Sequence, residues 1–110
     1  MTGYRAGARI EYLAAEYLRE NGYEVVRAAG SRGFADLVGF KPNGCVLVSV
    51  KRTNATISPA ERLALRKVAS WVNGLPLVAT KPARQPLTFR RLTGQQSDQW
   101  EPWTADEVEM

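Results

Sequence analysis

A chain of 110 residues, 45% hydrophobic and 24% charged, can fill one modest core and reads as a single soluble globular unit. It has no histidine and one cysteine, Cys45, which excludes Ser-His-Asp triads, Cys-His pairs, histidine-bearing zinc sites and internal disulfides. All 15 Lys and Arg fall in residues 1–95 beside only six acids, a net +9, whereas residues 96–110 carry five acids and no base.

The elements follow in chain order. Ile10, Leu13, Ala14 and Tyr17 recur at helical spacing and predict a helix over residues 5–21, stopped at Gly22. Tyr23 to Ala28 is a short Val-rich strand, and Gly30-Ser31-Arg32-Gly33 marks a loop. Residues 35–40 and 45–52 are apolar strands on either side of Lys41-Pro42-Asn43-Gly44, a strong hairpin signal. Ser58-Pro59-Ala60-Glu61 opens a second helix, with Ser as N-cap, Pro at the first position and Glu three residues on. Its buried stripe is Leu65, Val68, Ala69 and Val72, and Asn73-Gly74 ends it. Strands are expected at about 76–80 and 87–92. The order is α-β-β-β-α-β-β, an α/β mixed sheet flanked by helices. Residues 96–110 form an acidic tail whose Trp100 and Trp103 are expected to dock rather than stand in water.

No run of about 18 apolar residues is present, so no membrane-spanning helix is expected. Met1-Thr-Gly-Tyr-Arg lacks the apolar core of a signal peptide, and the lone Cys45 suits a reducing interior. A cytoplasmic place, in a prokaryotic cell or the host of a virus, is the expectation. The basic body suits a polyanion such as nucleic acid, although a merely soluble basic protein carries the same charge. Hydrolysis without imidazole must rest on carboxylates, a hard metal ion and a lysine.

The hairpin gathers such groups. With Pro42-Asn43 as a two-residue loop, Lys41 pairs with Gly44, and Asp36 falls opposite Ser49, give or take one residue. Residues two apart on a strand share a face, so Ser49 and Lys51 point the same way as Asp36. Charges set in otherwise apolar strands are costly unless paired or bound to a metal. Cys45, beside the turn, has no thiolate-activating neighbour in the pattern and reads as structural.

Glu11 on the first helix, Gly30-Ser31, Asp36 at a strand start and the triplet Ser49-Val50-Lys51 together resemble the PD-(D/E)xK nuclease superfamily. Within it, they resemble the archaeal-type Holliday junction resolvases. The resemblance covers residues 5 to about 92 and implies a restriction-endonuclease-like fold, with residues 1–95 as the nuclease domain. It implies a homodimeric endodeoxyribonuclease that resolves four-way junctions by metal-dependent phosphodiester hydrolysis. By the same resemblance, Asp36, the carbonyl of Val50 and Glu11 would hold Mg²⁺, with Mn²⁺ an alternative. Lys51 would orient the attacking water or pair with the scissile phosphate, and Ser31 would contact phosphate or the metal-bound water. Arg5, Arg9, Arg27, Arg32, Arg52, Arg62 and Arg66 are candidates to hold DNA phosphates.

Ser49 departs from the family pattern, which has an acid there. It is a variant with water or another acid filling the coordination, a disabling substitution, or a sign of shifted alignment. Glu16 and Glu61 are the substitute acids within reach of the argument, and the capping box already accounts for Glu61. Two further functions stay open beside junction resolution: another nicking or end-processing nuclease of the superfamily, and a DNA-binding relative impaired in cleavage.

Overall fold

The structure, a computed structural model, describes residues 2–28, 34–52 and 56–105, with side chains from Ala8 onward. The first helix, α1, spans Thr2–Glu20. Its apolar stripe of Ile10, Ala14, Ala15 and Leu18 is buried. Gly22 ends it at a φ of 92°, which a side chain rarely tolerates. There the N–H of Gly22 donates to the Arg19 carbonyl and that of Tyr23 to the Leu18 carbonyl, satisfying two free carbonyls of the helix end in a Schellman arrangement.

Six strands follow: β1 (Glu24–Arg27), β2 (Leu37–Lys41), β3 (Gly44–Lys51), β4 (Leu75–Thr80), β5 (Thr88–Leu92) and β6 (Trp100–Trp103). The second helix, α2 (Pro59–Trp71), lies between β3 and β4. The strands stand in the sheet in chain order. Every neighbouring pair is antiparallel except β3–β4, which is parallel and therefore needs the crossover that α2 supplies. The capping box is complete: the Glu61 N–H donates to Ser58 Oγ and the Ser58 N–H to Glu61 Oε1. At the far end Asn73 takes a positive φ, and the Gly74 N–H donates to the Ala69 carbonyl. A Cβ on Gly74 would sit 2.9 Å from the Leu47 side chain, so the chain passes over β3 only because that residue has none.

The helices cover opposite faces. Under α1, Leu18, Leu37, Val46, Val48, Leu77, Ala79 and Phe89 form one core. On the side of α2, Leu47, Leu65, Ala69, Val78 and Leu92 form another, with Cys45 against it. Burial pushes the Cys45 thiol up, away from reactive thiolate, in keeping with a structural role.

One strand was missed. The order gains β6, whose Trp103 pairs with Phe89 of β5 and packs edge-on against its ring at 5.4 Å. Pro102 cannot donate to a ladder, which hides this segment from a strand reading but is tolerated at the sheet's edge. The expected docking holds for Trp103, while Trp100 stays 38% exposed beneath the Arg90 guanidinium at 4.2 Å, and the Ala105 N–H donates to Tyr17 Oη at 2.9 Å. Among the described residues no helix is long and apolar enough to cross a membrane.

Candidate active site

The Lys41–Gly44 pairing runs up the hairpin as Leu37–Val48, which extends to Asp36 opposite Ser49. Asp36 is tied into the sheet by its own backbone. Its N–H donates to the Val48 carbonyl at 2.8 Å, and its carbonyl accepts from Ala28 at 2.9 Å. Its carboxylate, half-buried, accepts from the Val50 N–H at 2.7 Å through Oδ2. The strand start thus aims this acid at the end of β3.

On β3, Val46 and Val48 face α1, so Ser49 and Lys51 face α2, as alternation requires. A cleft of about 240 Å³ lies there, walled by Phe34, Asp36 and Ser49 from the sheet and by Ala60, Glu61 and Ala64 from α2. Across it Lys51 Nζ donates to both oxygens of Glu61 at 2.9 Å. Glu11 approaches from α1 and is held by Arg27, whose Nε donates to Oε1 at 3.1 Å.

Charge follows this geometry. Burial is the chief force pushing the Asp36 carboxyl above its ordinary range, and the negative charges of Glu11 and Glu61 push the same way. The Val50 N–H and Lys51 oppose them. The Ser58 N–H and then Lys51 hold Glu61 below its ordinary value. Asp36 therefore feels carboxylates from both helices, Glu11 of α1 and Glu61 of α2. Hard oxygen donors and surplus negative charge fit a divalent cation. Among the described residues no three acidic, His or Cys side chains already stand in coordinating range of one point. Two of the acids are instead occupied by Arg27 and Lys51.

Of the expected site, Glu11, Asp36, Ser49, Val50 and Lys51 gather at this end of the sheet. Ser31 and Arg32 lie outside the described residues, as does the side chain of Arg5. Arg9 and Arg52 are exposed, and Arg27 is largely exposed while paired with Glu11. Arg62 is corrected. It is 5% exposed, and its guanidinium donates to the carbonyls of Gly94, Gln99 and Ser97, which leaves it no part in binding phosphate. Burial and the neighbouring Arg66 lower its pKa, as expected for a cation taken from water. Arg66 is half-buried and donates to Gln95 Oε1. Glu16 pairs with Arg19 on the exposed side of α1 and is not the substitute acid.

Glu61, weighed as a substitute acid but set aside as a cap, walls the cleft, and one further feature did not emerge from the sequence. Arg90 and Trp100 line a neighbouring cavity of about 310 Å³ with Thr80 and Arg62, beside the cleft along the same face.

The family model for archaeal Holliday junction resolvase (Hjc) matches residues 2–107. Among solved structures, Hjc from Archaeoglobus fulgidus, a Holliday junction resolvase from an archaeal hyperthermophile, superposes with a TM-score of 0.66. The two are 24% identical, over 76% of this chain and 70% of that one. That likeness establishes the shared fold. A search of curated proteins found no match.

Proposed function

Since the chain belongs to the archaeal Holliday junction resolvase family, nucleases that resolve four-way DNA junctions, we propose that it cuts at the cleft between Asp36 and α2 with Mg²⁺ as cofactor. Members of that family bind branched DNA, typically as dimers, and the family implies a divalent-metal-dependent nuclease. The observation that carries the placement is the convergence of Asp36, Ser49, Lys51 and Glu11 on one end of the sheet. These residues are distant in the chain, and three of them are ionisable groups on elements that are otherwise apolar where they meet the sheet.

In this reading Asp36, Glu11 and the carbonyl of Val50 hold the ion, and Mn²⁺ is accepted because it takes the same oxygen ligands. When bound, the ion lowers the pKa of a coordinated water and offsets charge on the transferring phosphoryl group. The protein does the positioning. Asp36 is seated on the Val50 N–H, so its carboxylate needs little rearrangement. Lys51 orients the attacking water or neutralises the scissile phosphate. The water oxygen bonds to phosphorus as the ester P–O bond breaks; the attacking water gives its proton to solvent, and solvent returns one to the departing sugar oxygen. Arg9, Arg52 and the largely exposed Arg27 are the cations that would meet backbone phosphates. Two copies related by a two-fold axis would match the symmetry of a four-way junction.

The test is cleavage of a synthetic four-way junction and of matched duplex, each with and without Mg²⁺. Junction-selective, Mg²⁺-dependent cutting is expected. Asp36→Asn should lower cleavage by more than about 100-fold while junction affinity holds. Undiminished cutting by that variant would remove Asp36 from the site. Binding without any cutting would instead mark an impaired relative.

A further inference from the structure

We propose that Glu61, from the first turn of α2, supplies the strong acid of the metal site that β3 lacks at Ser49; this rests on the metal-dependent reading above. A hydroxyl is a poor ligand for a hard divalent cation compared with a carboxylate. Ser49 is nonetheless 7% exposed and stands in the cleft opposite Asp36, where the neighbouring strand offers no other acid. The nearest source is the helix lying over that face.

Glu61 walls the same cleft as Asp36 and Ser49. Helical side chains lean towards their own N-terminus, which turns Glu61 back over the end of β3. Lys51, two residues beyond Ser49 on the same face, grips both carboxylate oxygens at 2.9 Å. The lysine that follows the missing acid in the chain therefore holds its replacement in space.

The capping box does not account for this arrangement. Capping uses only Oε1, which accepts from the Ser58 N–H at 3.0 Å, whereas Lys51 reaches both oxygens and is the partner of Oε2. A glutamine would cap equally well, so the helix start does not ask for the charge. A carboxylate has about four acceptor positions, enough to keep cap and lysine and still meet a cation. The acid has moved from strand to helix, and the cleft keeps its chemistry.

Glu61→Gln separates the two roles, because it preserves the cap and removes the charge. The readout is Mn²⁺ affinity of the full chain without DNA, by calorimetry or electron paramagnetic resonance, with Asp36→Asn alongside. Glu61→Gln should weaken Mn²⁺ binding by about tenfold or more, with only a small drop in melting temperature from the lost charge. Adding Ser49→Glu to it should restore both Mn²⁺ affinity and junction cleavage. Parent-like Mn²⁺ binding by Glu61→Gln, with binding lost in Asp36→Asn, would overturn the role of Glu61 and leave the metal reading standing. Weakened binding that Ser49→Glu fails to rescue would also overturn it. Parent-like binding by both single variants would sink the metal reading itself.

Discussion

Under α1 the sheet is apolar from β2 to β5, with Leu37, Val46, Val48, Leu77, Ala79 and Phe89 all buried there. Under α2 the buried set includes Leu47, Leu65, Val78 and Leu92, but also Ser49, Arg62 and Thr80. The buried side chains of the first face are all apolar, so their burial goes into holding the fold. The second is interrupted where β3 ends, and the interruption is the cleft. One strand serves both: alternate residues of β3 anchor the core and furnish the site, so the site sits on the most firmly held strand of the sheet.

This division can be broken from either side. Leu77→Ala, at a fully buried position under α1, should cost about 3 kcal/mol of stability in urea unfolding. The folded fraction should still cut junctions at the parent rate. A loss of specific activity in that fraction would mean the two faces are not separable. Arg62→Met, under α2, should cost about 1–3 kcal/mol, because it strands the carbonyls of Gly94, Ser97 and Gln99 without their donor. Hydrogen exchange should rise in residues 94–100 before the rest of the sheet. Retained junction affinity would confirm that this arginine does not serve phosphate.

The smallest effect is the sharpest in sign. Asp36 titrates above the ordinary carboxylate range in the folded chain, so the folded state keeps that proton longer than the unfolded one. Its ionisation therefore weakens the fold as pH climbs from the ordinary value through the raised one. Asparagine can still accept from the Val50 N–H and escapes that cost. Asp36→Asn should melt slightly higher than the parent at pH 7, with the gap closing as pH drops through the ordinary carboxylate value. A lower melting temperature at pH 7 would contradict the burial argument. Glu61 works in the opposite direction: its contribution is present above its ordinary value and is lost as pH falls through its lowered one.

Much of this was legible in the residues, and the reasons are local. Pro42-Asn43 sets the hairpin register, and a period of two then places Asp36, Ser49 and Lys51 together, as observed. Family resemblance added Glu11, which no periodicity picks out. What stayed hidden depends on how a helix lies on a sheet. The approach of Glu61 to Lys51 joins residues on separate elements, and local pattern is silent on that. Arg62 is readable after all: with Leu65 and Ala69 it shares the buried stripe at i, i+3 and i+7, although as a cation it stands among the candidates for DNA phosphate. The strand β6 carries Pro102 in an acidic stretch and alternates poorly, so only its pairing with β5 reveals it.

The bond from the Ala105 N–H to Tyr17 Oη joins groups 88 positions apart. Tyr17 also meets Phe89 at 5.2 Å, and Phe89 meets Trp103, so the aromatic lid over the first helix is built from the last two strands. A chain emerging N-terminus first must carry α1 with an incomplete partner until β6 has been made. Such closure favours a late, all-or-none collapse over stepwise assembly. Shortening the protein by its final strand would then loosen its earliest helix, at the opposite end of the polypeptide.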